Sequence, residues 1–131
     1  MAKAFPDDLK YTQEHEWARI SGKRAVIGIT SYAVESLGDL TMVDLPKEGE
    51  TFKREQSMAT VESVKAVSDI FAPLSGKVVK VNDPLSDAPE TLNDDCYDEG
   101  WMIKIEISDD AQIGQLLKHA DYLAFLESQA E

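Results

Sequence analysis

The stretch Ser57-Met58-Ala59-Thr60-Val61-Glu62-Ser63-Val64-Lys65-Ala66-Val67-Ser68-Asp69-Ile70-Phe71 decides how the rest of the chain is read. Two β-like runs, Ser57–Glu62 and Val67–Phe71, flank Ser63-Val64-Lys65-Ala66, which predicts a hairpin with Lys65 in or beside a tight exposed turn. A lysine there is solvated, mobile at its tip and held on a stiff base. Those properties suit a target of covalent modification. They suit equally a lysine that only keeps the surface solvated, which is the commoner role on residue type alone.

Outward from this hairpin, short β-like runs continue in both directions. Upstream, Trp17–Ile20 and Arg24–Ile29 are joined by the turn Ser21-Gly22-Lys23, and Leu40–Leu45 stops at Pro46. Thr51–Lys53 is a short strand. Downstream, Ala72-Pro73-Leu74-Ser75-Gly76 is a turn leading into Gly76–Val81. Trp101–Ile107 alternates, with Met102, Lys104 and Glu106 opposite Trp101, Ile103, Ile105 and Ile107. Three helical segments interrupt the pattern. Ser31 is a candidate cap for a helix to Leu37, stopped by Gly38. Ser108 is a candidate cap for a second, with Asp109 and Asp110 in its first turn and Leu116 and Leu117 facing the core. Asp121 is a candidate cap for a third, with Tyr122, Phe125 and Leu126 on one face. Asn82–Gly100 is acidic and turn-rich and reads as a surface loop with at most a helical turn. Many closely spaced short strands predict a mainly β fold, a flattened β-barrel or barrel-sandwich with a short internal helix and C-terminal helices. The expected organisation is one domain over 1–131, with a core at about 9–107 and a helical segment at about 108–128.

Composition narrows the function. At 131 residues, 43% hydrophobic and 29% charged, the chain suits one globular domain. Thirteen Lys and Arg against twenty-five Asp and Glu leave a net charge of −12, which argues against binding to nucleic-acid phosphates and for steering towards basic protein surfaces. The single Cys96 and two histidines, His15 and His119, lack the spacing of a zinc or dithiol site, so no metal is expected. There is no Gly-rich phosphate loop, HExxH or nucleophile elbow. No apolar signal core precedes Asp8 and no stretch has the length of a membrane span. The expectation is a bacterial cytoplasmic protein, with a mitochondrial matrix protein the lesser alternative, acting as a monomer without membrane or nucleic acid.

Several separate motifs give these features a common reading. Glu62-Ser63-Val64-Lys65-Ala66, followed by Asp69 and Ala72-Pro73-Leu74-Ser75-Gly76, resembles the lipoylation turn of the glycine cleavage H proteins, members of the biotinyl/lipoyl-carrier superfamily. Tyr11-Thr12, His15-Glu16-Trp17, Gly28-Ile29-Thr30, Tyr32-Ala33, Leu37-Gly38-Asp39, Leu45-Pro46 and Gly100–Lys104 follow the same family's order. The resemblance covers roughly residues 9 to 125. Biotin carriers usually set their lysine between two methionines, where this turn has Val64 and Ala66. Lipoyl domains of the 2-oxoacid dehydrogenases usually place an acid directly before the lysine.

The resemblance implies a barrel-sandwich hybrid of the lipoyl-domain type and a non-enzymatic carrier with lipoic acid amidated to Lys65, Glu62, Val64 and Ala66 forming the recognition turn. It implies shuttling of an aminomethyl group from glycine decarboxylase, a pyridoxal-phosphate enzyme, to a tetrahydrofolate-dependent aminomethyltransferase, and of electrons to dihydrolipoamide dehydrogenase. Lipoyl-attaching enzymes are the remaining partners. Glu16 and Asp69 are the implied anionic partners of the aminomethyl load, with Leu37 as apolar lining and Ser36 where the family often has histidine. Each keeps a plainer alternative: Glu16 as a solvated carboxylate beside Trp17, Asp69 as an acceptor for backbone donors at the hairpin edge. His15 is expected to be a structural hydrogen-bonder and Cys96, where proline is common, a packing or loop thiol. Two further readings stay open: a reservoir relaying lipoyl or octanoyl groups to 2-oxoacid dehydrogenase complexes, and an interaction module whose Lys65 is never modified.

Overall fold

A computed structural model describes residues 5–129; Met1–Ala4, the start of the segment read for targeting signals, lie outside the described residues, as do 130 and 131. In chain order the elements are β1 Lys10–Tyr11, β2 Glu16–Ser21, β3 Arg24–Ile29, α1 Ser31–Leu37, β4 Leu40–Asp44, β5 Thr51–Phe52, β6 Ser57–Ser63, β7 Val67–Phe71, β8 Gly76–Val81, α2 Pro84–Asp87, α3 Thr91–Asp94, β9 Ile103–Ile107, a 3₁₀ helix Asp110–Gln115 and α4 His119–Gln129. The strands form two antiparallel sheets, β1-β2-β3-β9-β8-β5 and β4-β6-β7. This is the expected mainly β, barrel-sandwich architecture, with the sheets left unclosed.

Alternation explains which side of each sheet turns inward. Ala25, Ile27, Val78, Ile103 and Ile105 of the larger sheet and Val43, Val61 and Ile70 of the smaller one are buried in one apolar cluster. Burying such side chains contributes about 1.5–3 kcal/mol each. Their neighbours in sequence point away from the cluster: Arg24, Lys77 and Glu106 on one sheet, Met42, Asp44, Val67 and Asp69 on the other, all exposed. Gly28 is required by close approach, because a Cβ there would lie 2.6 Å from Cζ2 of its cross-strand partner Trp17.

Three capping expectations change. Thr30, not Ser31, caps α1, its Oγ1 accepting from the Ala33 N–H at 3.4 Å, while Gly38 ends the helix as expected at φ 86°. Asp109, not Ser108, caps the second helix, which is 3₁₀. Asp121 lies in the first turn of α4 rather than at its cap, because the helix begins at His119; Tyr122 is fully buried and Phe125 and Leu126 are half-buried, as their spacing predicts. The first two caps slip by a single residue because adjacent polar side chains compete for the same backbone donors.

The largest correction is Asn82–Gly100. It is no surface loop: it contains α2 and α3, and Leu85, Leu92, Cys96 and Tyr97 are buried. Trp17 Nε1–H donates to the Cys96 carbonyl at 3.1 Å, and the Tyr97 hydroxyl accepts from the Ser31 N–H at 3.0 Å. Asn93 Oδ1 accepts from the Leu40 N–H and its Nδ2 donates to the Gly38 carbonyl. This covering also breaks the alternation of the last strand, because Met102 is buried beside Ile103. Leu116 is buried and Leu117 half-buried after the 3₁₀ helix, where Leu117 exchanges backbone hydrogen bonds with Tyr11.

Candidate functional site

The β6–β7 hairpin pairs Glu62 with Val67 and turns through Ser63–Ala66. The Ser63 N–H donates to the Ala66 carbonyl at 2.8 Å, and its hydroxyl oxygen accepts from the N–H groups of Lys65 and Ala66 at 3.2 and 3.1 Å. A serine that satisfies two turn donors is a local substitute for strand pairing. The turn is also anchored sideways, because the Val64 N–H donates to the Asp39 carbonyl at 3.2 Å. Gly38 lies directly beneath the lysine stem: a Cβ there would be 3.7 Å from Lys65 Cε. The backbone is therefore bracketed from two sides while Val64, Lys65 and Ala66 are exposed, Val64 to 73%. Among the described residues the ion pairs are Arg19–Asp98 and Arg54–Glu55, so no carboxylate holds the Lys65 ammonium within 4.0 Å.

Glu16 sits elsewhere and is far from solvated. It is 2% exposed at the start of β2. The Thr12 hydroxyl donates to its Oε1 at 2.6 Å and the Phe71 N–H to its Oε2 at 3.0 Å. The chain reaches this geometry through a tight loop: the His15 N–H donates to the Thr12 carbonyl, and His15 takes φ 72°. Burial pushes the Glu16 carboxyl up to about 7, outweighing both hydrogen bonds, which favour its anion. Glu16 lines a cleft of about 290 Å³ with Thr12, Glu14, Arg54, Phe71 and Leu117.

The other expected pocket residues divide between these regions. Leu37 is half-buried at the end of α1, one residue before the glycine under Lys65. Ser36 is exposed on α1. Asp69 is exposed on β7, paired with Thr60, on the outward face it shares with Glu62 and Val67. None of Ser36, Leu37, Lys65 and Asp69 lines the Glu16 cleft. Phe71, which binds Glu16, is at the far end of β7 from the lysine, about 20 Å along extended chain. Sequence reasoning missed Thr12 and the bracketing roles of Ser63, Gly38 and Asp39. Ser63, directly before Val64 and Lys65, carried a usable signal as a turn-type serine; the others depend on segments distant in sequence.

His15 is the structural hydrogen-bonder expected. Its Nδ1 is 2.8 Å from the Tyr122 hydroxyl, which is 2.9 Å from Thr30 Oγ1. Burial lowers the His15 pKa. Cys96 is a buried packing thiol.

A family model described as Glycine cleavage H-protein matches residues 9–129. The chain belongs to the glycine cleavage H-protein family. It is 56% identical over 125 residues to the glycine cleavage system H protein of Anaeromyxobacter sp. (strain K), covering 95% of this chain and 98% of that one. It is 52% identical to that of Myxococcus xanthus (strain DK1622), with 98% and 99% covered. The crystal structure of a glycine cleavage system H protein from Mycobacterium marinum superposes with a TM-score of 0.85 at 40% identity, covering 92% of this chain and 97% of that one. As a member of this lipoyl-carrying family the chain is a carrier protein rather than an enzyme, and it works with the enzymes of the glycine cleavage system. No helix among the described residues is long and apolar enough to cross a membrane.

Proposed function

We propose that Lys65 bears the lipoyl group in amide linkage. The protein then shuttles an aminomethyl group from glycine decarboxylase to the tetrahydrofolate-dependent aminomethyltransferase and electrons to dihydrolipoamide dehydrogenase. The observation that carries this reading is the Lys65 turn, a bracketed backbone with an exposed amine that no carboxylate among the described residues engages within 4.0 Å. An attaching enzyme needs such an amine: accessible, flexible at its tip and on a base that does not yield. The flanking Glu62, Val64 and Ala66 are the surface it would read. When bound, the lipoyl group supplies the sulfur chemistry and redox capacity. The chain supplies the tether, and amide formation removes the lysine's charge.

Shelter for the load is assigned to Glu16, Leu37, Ser36 and Asp69. Glu16 is the best suited, since a carboxyl pushed up to about 7 is divided between donor and acceptor forms near neutrality. Reaching it requires the arm to follow β7 from the turn to Phe71, with Leu37 and Ser36 near its root and Asp69 part-way along. We read the chain as one lipoyl-carrier domain, acting as a monomer in a bacterial cytoplasm. The relatives described above are named for glycine cleavage, which favours the shuttle over a lipoyl relay.

Intact-mass measurement of protein from lipoate-replete cells should give a main species heavier by one lipoyl group. Lys65→Arg should fold, remain unmodified and abolish glycine-dependent bicarbonate exchange with glycine decarboxylase. Exchange that survives this substitution would overturn the assignment.

A further inference from the structure

Nearly half of the cations of this acidic chain share one face. Strand register sets Arg19, Val26, Lys104 and Lys80 side by side across β2, β3, β9 and β8. The next outward row is Ser21, Arg24, Glu106, Lys77 and Thr51. Directly paired residues share a face, and the intervening Ala25, Ile105 and Val78 are buried, so both rows point away from the core. With Lys23 in the adjoining turn, Arg19, Lys23, Arg24, Lys77, Lys80 and Lys104 are six of the thirteen Lys and Arg residues. Glu106 stands in the second row, and Asp98 is 3.7 Å from Arg19. The outward face of the three-stranded sheet has the opposite character, with Asp44, Glu62 and Asp69 at the corresponding positions.

Lys80 and Lys104 are paired directly across β8 and β9, and neither has a carboxylate within 4.0 Å among the described residues. Like charges in that position destabilise a sheet. The Lys104 ammonium lies 4.8 Å over the Trp101 ring, which offsets part of the repulsion. A chain with twenty-five acidic residues that leaves this pair without one presents a face suited to an anion from outside.

We propose that this face docks a carboxylate-rich patch on one of the enzymes that act on the Lys65 arm, which rests on the functional reading above. The cations of the two rows, from Arg19 on β2 to Lys77 and Lys80 on β8, span four strands, about 14 Å across, the scale of a compact protein patch. The net charge of −12 opposes a long polyanion extending beyond the patch. A second copy is disfavoured because its acidic sheet bears Lys65, and head-to-tail pairing would cover the turn and repeat without closing. The outward faces of the two packed sheets point in opposite directions. An enzyme holding the basic face therefore leaves the lysine turn, at the end of the other sheet, unobstructed.

The test compares lipoylated full-length K80E/K104E with K47E/K118E, which changes net charge equally at exposed lysines elsewhere. Steady-state kinetics are measured with glycine decarboxylase, aminomethyltransferase and dihydrolipoamide dehydrogenase at fixed ionic strength. K80E/K104E should raise KM for the carrier about fivefold or more with one enzyme and leave kcat within about twofold, and K47E/K118E should change KM less than about twofold. K80Q/K104Q, which removes the like-charge pair, should raise the melting temperature and weaken KM in the same direction. Equal KM for the two reversal variants with all three enzymes overturns the proposal while leaving the shuttle intact. Wild-type protein inert towards all three overturns the functional reading itself, and this proposal with it. Unchanged KM with loss of binding to a single-stranded DNA oligonucleotide, or of a sedimenting dimer, assigns the face to phosphate or to a second copy and also overturns it.

Discussion

Glu16 concentrates the residue-scale physics. Its carboxyl titrates near 4.5 when solvated and at about 7 when folded, so the folded state binds the proton more tightly. Stability from this group is fully present below about pH 4.5 and is lost as pH rises towards 7, a loss on the order of 3 kcal/mol at complete ionisation. Wild-type stability should therefore fall across that window, and Glu16→Gln should flatten the fall. Denaturant melts of both proteins from pH 4.5 to 8 check this. Parallel curves would mean that Glu16 is not buried as an acid. Lys65 is the contrasting case: its geometry is set almost entirely by neighbours in the turn, so its exposure was readable where the burial of Glu16 was not. Nothing near Glu16 in sequence announces that the Phe71 N–H will cover it.

At the scale of elements, the hairpins were legible because strand alternation and turn chemistry act over a few residues. β2–β3 and β6–β7 both fall where the Gly22-Lys23 and Ser63–Ala66 turns predict. Asn82–Gly100 was not legible. Its acidic, Pro-containing composition resembles a solvated loop, yet Leu85, Leu92 and Cys96 bury against partners far away in the chain. α4 was visible as an amphipathic segment, but its mooring was not. The buried Tyr122 hydroxyl joins it to His15 and Thr30, and its ring stacks on Tyr11 at 4.5 Å. Tyr122→Phe should cost about 1–3 kcal/mol, because it leaves buried polar groups without that partner. Hydrogen exchange should accelerate first in α4 and the Thr12–Glu16 loop. Unchanged stability would show that stacking alone holds the helix.

At the scale of the whole molecule, charge is the organising quantity. A net charge of −12 predicts encounter with partners that depends on salt. The clustering of six of the thirteen cations on one sheet face means that the dependence should differ between partners meeting different faces. Raising ionic strength from 20 to 300 mM, bracketing Debye lengths of roughly 20 and 6 Å, should change the carrier's KM several-fold with at least one enzyme. Identical kinetics throughout would contradict an electrostatic contribution to docking.

By itself the sequence determined the mainly β architecture, the hairpin that presents Lys65, and the family, because alternation, turn residues and ordered motifs are properties of neighbouring positions. Only the tertiary structure decided that Glu16 is a buried acid, that residues 82–100 close over Trp17, that α4 is moored through Tyr122, and that six cations share one face. Burial and register depend on which distant segments meet. Desolvation and cross-strand repulsion exist only once they have met.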